Sequence, residues 1–262
     1  MEDLILLDWG AFTLFLLIFM RMVGFVGLNP LFTLGSVPTI AKGGFTLFLA
    51  VMVFMMEGGR VEIPNNSLQL MVMMISELGV GMLISLVMNF FLAIPAIGGS
   101  IIDMQIGFSM AQAYDPATGS NSTVTGTILS AVMMMIFFAE NGHHTLMRLM
   151  MTSGMIVPYG EAFFGEIMLE LMIQLFLECM LLAVKLSMPI MAAELIAQVG
   201  MGILMKTIPQ INVFAINIDL KVLIGLIMLI IYMPVISNYL LEIEITMLNS
   251  MQQALLSIAG RS

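Results

Sequence analysis

The residues that could do chemistry in this chain are few, and most are acids set inside apolar sequence. Glu166, Glu170, Gln174 and Glu178 recur every four residues, and Lys185 follows seven further on. That spacing puts them near one face of a helix. A second set, Glu77, Gly81, Ser85 and Asn89, has the same spacing and is followed by Pro95, Gly99, Asp103, Gly107 and Ala111. A carboxylate stripe cannot face lipid, and small residues at four-residue spacing let helices approach closely. Both stripes therefore point inward, toward partners or a passage. Asp103 either relays protons there or caps and hydrogen-bonds neighbouring backbone, and the residues alone leave both readings open.

Other reactive residues suggest less. Glu140, His143 and His144 in FAENGHHTLMR place two potential metal ligands one helical turn apart, but no HExxH is present and no second cluster completes a site. No metal site and no cofactor are expected. The 31 methionines would suit Cu(I), yet they fall in adjacent runs such as Met133-Met134-Met135 rather than on one repeated face. Flexible packing against changing surfaces explains them at least as well. With no nucleophile elbow, Walker loop or Gly-rich phosphate fingerprint, no catalytic residue is assigned and no enzyme is expected.

The elements that must position these residues follow from composition. Of 262 residues 60% are apolar and 10% charged, against about 25% charge in a soluble domain. An open sheet cannot span lipid, so apolar segments of this length imply an all-α integral membrane protein. Six hydrophobic blocks can be drawn: about Trp9–Leu28, Thr39–Met56, Leu68–Ile102, Val124–Ala139, one beginning near Glu166, and Val222–Leu241. The third is too long for a simple span. The last two extend into a long helical hairpin, 161–205 and 212–258, joined by KTIPQIN and bent at Pro189 and Pro234. The acidic start MEDLILLDWG does not resemble a cleavable signal, and no processing is expected. Cys179, the single cysteine, reads as a small buried hydrophobe. Eight basic residues against 17 acidic ones leave a net charge of −9 with no basic patch, which excludes nucleic acid as a partner.

Between the third and fourth blocks lies GFSMAQAYDPATGSNST, residues 107–123, with one charge, Asp115. Its first half carries the bulky Phe108, Met110 and Tyr114. After Pro116 come Gly119, Ser120, Asn121, Ser122 and Thr123, which supply a flexible return.

Three stretches together resemble the FliR family of flagellar biosynthetic proteins: RMVGFVGLNPLF, GGSIIDMQIGFSMAQAYDP, and SMPIMAAELIAQVGMGILMKTIPQINVFAINIDLKVLIGL. The pieces that carry the resemblance are Gly99, Asp103, Gln105 and Gly107 leading to Asp115-Pro116, then Gly142-His143, then Pro209-Gln210-Ile211-Asn212-Val213-Phe214 followed by Lys221. Lys206 stands where the family commonly has Arg, and Asp219 near where it commonly has Pro. The resemblance implies a subunit of the type III secretion export gate, assembled with FliP and FliQ and contacted by FlhB and FlhA. It would pass unfolded export substrates across the bacterial inner membrane at the flagellar basal body. It also implies a FliP-like part over 1–160 and a FliQ-like helical hairpin over 161–262, and makes the tract after Gly107 a plug that closes the passage. Two rivals remain: a virulence-system homologue with other cargo, and a small-solute transporter. The transporter should show paired broken helices in corresponding halves, and the sequence has no such symmetry.

Overall fold

The computed structural model describes residues 9–33, 37–57, 61, 66–108, 123–207 and 213–259, with the backbone alone for 33, 204, 205, 207 and 213–218. Every element among the described residues is a helix, in agreement with the all-α expectation. In order they are α1 (Trp9–Leu28), α2 (Pro30–Thr33), α3 (Thr39–Glu57), α4 (Ser67–Ile106), α5 (Val124–Ala139), α6 (Gly142–Ile156), α7 (Glu166–Thr207) and α8 (Val213–Ile258).

Five of these are long and apolar enough to cross a membrane, and six if α5 and α6 together make one broken span. With 40, 42 and 46 residues, α4, α7 and α8 would each reach about 60 Å or more at about 1.5 Å per residue, twice the hydrocarbon thickness. Pro95, Pro189 and Pro234 lie inside them, and each helix runs on past its proline. Helix α6 has no counterpart among the hydrophobic blocks, because GHHTLMRLMMTSGMI carries two His, an Arg, two Thr and a Ser that dilute its apolar residues.

The chain divides into two compact units: Met1–Phe90 with Gly142–Phe176 and Thr246–Ser262, and Phe91–Asn141 with Leu177–Ile245. In the first, α1 buries Leu14, Leu17, Ile18, Met22 and Phe25, a helical stripe that meets α3 where Phe15 and Phe54 pack edge to face at 5.8 Å. The end of α8 adds Met247, Met251, Ala254, Leu255 and Ile258, again one face. In the second, Ile94, Ile102 and Ile106 of α4, Leu129, Met133 and Phe137 of α5, and Cys179, Ala183, Leu186 and Ile190 of α7 are buried.

Candidate functional site

In the first unit the stripe Glu77, Gly81, Ser85, Asn89 lies along α1. A Cβ on Gly81 would strike the Arg21 carbonyl and lie 2.6 Å from Phe25 N, and one on Gly24 would strike the Leu78 carbonyl. The two backbones are thus in direct contact, which only residues without a side chain allow. Ser85 Oγ donates to the Phe25 carbonyl at 2.6 Å, and Asn89 Nδ2 to the Leu28 carbonyl at 2.8 Å. Rising numbers on α4 meet rising numbers on α1, so the pair is parallel.

At the head of this seam Arg21 is fully buried, and each of its three side-chain nitrogens has a partner. Its Nε donates to Glu77 Oε2 at 2.6 Å, Nη1 to Ser153 Oγ at 3.1 Å and Nη2 to the Val157 carbonyl at 3.0 Å. The guanidinium lies over the Tyr159 ring, 4.1 Å from its centroid. The other Glu77 oxygen accepts from Gly160 N–H at 2.8 Å, and Gly160 reaches that position with φ +87, which favours glycine. One cation thus ties α1, α4, α6 and the 157–160 turn together. Burial pushes the Tyr159 hydroxyl up to about 12, against the pull of Arg21.

In the second unit Asp103 closes the base of the 107–123 tract. Its Oδ2 accepts from Thr125 N–H at 3.1 Å, and its Oδ1 accepts from both Thr125 N–H, at 3.3 Å, and Thr125 Oγ1. Thr125 stands in the first turn of α5, so the carboxylate meets unpaired amides and the positive end of the helix. Gly99, one turn earlier on α4, lies so close to Gly126 that a Cβ would strike its Cα and N. Helix α4 ends at Gly107, φ +94, whose N–H donates to the Asp103 carbonyl at 3.0 Å. Gln105, Gly107 and Phe108 are half-buried. Met110, Tyr114, Asp115, Pro116 and Gly119 lie outside the described residues.

Among the described residues nothing on another helix meets the α7 stripe. Glu170, Gln174, Glu178 and Lys185 are exposed, and Gln174 Nε2 donates to Glu170 Oε1 at 3.4 Å. Lys206 is exposed and Lys221 half-buried. Pro209, Gln210 and Asn212 lie outside the described residues, and Phe214 falls in α8 with its side chain undescribed.

Sequence reasoning did not single out Ser153 or Tyr159, and it gave Arg21 no partner. A signal was present. Arg21 is the one charge in its block, and Glu77 and Asp103 are the only charges in α4. Lone opposite charges inside membrane segments pair with one another or with backbone.

The family described as bacterial export proteins, family 1, matches residues 12–244. The flagellar biosynthetic protein FliR of Bacillus subtilis (strain 168) is 33% identical over 230 residues, 86% of this chain and 88% of that protein. FliR of Escherichia coli (strain K12) is 22% identical over 84% of each chain. The Yop proteins translocation protein T of Yersinia pestis is 27% identical over 74% of this chain and 75% of its own. With that family matching residues 12–244 and a relative 33% identical over 86% of this chain, the chain belongs to the bacterial export proteins, family 1.

Proposed function

We propose that this chain is a non-enzymatic subunit of the flagellar type III protein export gate, a conduit and seal for unfolded substrates in the bacterial inner membrane at the basal body. FliP and FliQ are its assembly partners, with FlhB and FlhA alongside; residues 1–160 take the FliP-like place and 161–262 the FliQ-like hairpin. The 107–123 tract closes the passage, and Asp103 and Thr125 hold its base.

One observation carries this reading. In their most apolar stretches, α7 and α8 are only 22% and 11% buried within the chain, against 56% for α4. Glu170, Gln174 and Glu178 stand exposed on α7 beside Ile167, Ile173 and Leu177. Lipid could cover the apolar surface but not the acids at low cost. A protein neighbour with polar groups covers both. The FliR relatives favour flagellar cargo, and the Yersinia relative supports a virulence-system cargo as the second reading.

Photo-crosslinkers at Gln174 and Glu178 in native membranes test it: adducts to partner subunits are expected, and adducts to lipid overturn it. Purification in mild detergent gives the second arm. A hetero-oligomer is expected; a stable monomer stabilised by a small solute is a transporter.

A further inference from the structure

Helix α7 buries a ridge of Ala183, Leu186 and Ile190 in the second unit, and the next residue on that ridge is Glu194. Its side chain takes an apolar position in the core and has no accessible surface. Among the described residues no donor reaches either carboxylate oxygen. Helix α4 packs on the same ridge, where a Cβ on Gly98 would lie 2.8 Å from Leu186 Cδ2 and 3.1 Å from the Ala183 carbonyl. Asp103, the acid on that part of α4, is engaged by Thr125. Helix α8 runs antiparallel to α7: Tyr239 Oη donates to the Leu182 carbonyl at 3.3 Å, and Lys221, eighteen residues earlier, is the charge that acts on Glu194, twelve residues later. One turn beyond Lys221, Gly225 packs against Ile106 at the end of α4.

An ionised carboxylate with no hydrogen bond cannot be held in such a place, because the lost hydration is not replaced; the group takes up a proton instead. Glu77 and Asp103 show the contrast, each buried carboxyl being met by several donors. We propose that Glu194 is a proton-binding site inside the α7–α8 hairpin, carried as the neutral acid while the hairpin is closed, with half-buried Lys221 as the counter-charge once water enters and the proton leaves. The site belongs to this chain's own fold and does not depend on the export reading. A proton inside the span makes the charge of the hairpin change whenever it parts.

The test uses the full chain assembled in membranes with its partners. An infrared difference spectrum between wild type and Glu194→Gln at neutral pH should show loss of one protonated-carboxyl C=O band. Loss of carboxylate stretches instead overturns the proposal. If the Gln variant fails to assemble, Glu194→Asp should shift the band rather than remove it, and an unshifted spectrum in the protonated-carboxyl region overturns the proposal equally.

Discussion

Arg21 on α1 and Glu77 on α4, 56 residues apart, form an ion pair at 2.6 Å with neither side chain exposed to any degree. The pair is completed by Ser153, the Val157 carbonyl and Gly160 N–H, so both charges enter the interior with their hydrogen-bonding capacity largely filled. That is the condition under which a buried ion pair avoids the desolvation penalty that otherwise outweighs its Coulombic gain.

Breaking the pair from one side leaves a buried charge with no partner. Arg21→Met and Glu77→Met should each cost about 3–5 kcal/mol, and the double variant Arg21→Met, Glu77→Met should recover much of that loss. Denaturant titration of the purified assembly and the amount of chain in membranes measure it. A double variant as unstable as the sum of the singles would show that the two residues do not act as a pair.

How far the fold was legible turns on what pairs with what. The spacing of Glu77, Gly81, Ser85 and Asn89 told that this face is covered, because a carboxylate and three small or polar residues in one stripe have no use for lipid. It did not tell that α1 is the cover, since contact across 56 residues depends on topology and leaves no periodic trace. Blocks one and four matched α1 and α5 because their apolar runs end abruptly there. Helix α6 was invisible to hydropathy, its apolar positions being separated by His, Arg and Ser. The α7 acids were legible as a face needing a neighbour, and the described residues of the chain do not provide one.

Close packing predicts a sharp contrast between glycines. In lipid, helices gain little by hiding apolar surface from one another, so backbone contact carries more of the association. Gly99→Ala puts a methyl onto Gly126 and must push α4 and α5 apart, at about 1–3 kcal/mol. Gly43→Ala on α3 meets nothing within 4 Å and should raise stability by up to about 1 kcal/mol through helix propensity. Thermal melting of the assembly in detergent distinguishes them; equal effects would remove the α4–α5 contact as the cause.

Tyr159 gives a pH signature. Below pH 10 its hydroxyl holds its proton in both folded and unfolded chains, so the buried ring contributes fully. Between 10 and about 12 the unfolded chain ionises first, and the folded state loses roughly 2–3 kcal/mol as pH rises through that window. Subtracting the alkaline phenolate titration of Tyr159→Phe from that of the wild type should leave a single step near 12. A step near 10 would mean that the ring is not held in this burial. The Phe variant keeps the stack on Arg21 and should melt within about 1 kcal/mol of wild type at neutral pH, whereas Tyr159→Ala should lose about 3–5 kcal/mol.

The last prediction concerns the tract that Asp103 and Thr125 hold at its base. A seal that must also let a polypeptide through has to be anchored firmly at its ends and weakly along its length, or it would either drift from the passage or block it permanently. The ends meet the first requirement: the Asp103 carboxylate on the Thr125 amide and hydroxyl, with Gly99 against Gly126, fixes the last turn of α4 to the first turn of α5. Replacing residues 109–122 by a short Gly-Ser linker spares these contacts. The assembly should then form at wild-type yield but leak ions, read as conductance in planar bilayers. Asp103→Asn keeps the whole tract but removes the charge that meets α5, and should leak less than the deletion. Wild-type permeability in a correctly assembled deletion would end the plug reading while leaving the base contacts as structural. A leak in Asp103→Asn exceeding that of the deletion would instead place the seal at the α4–α5 contact itself.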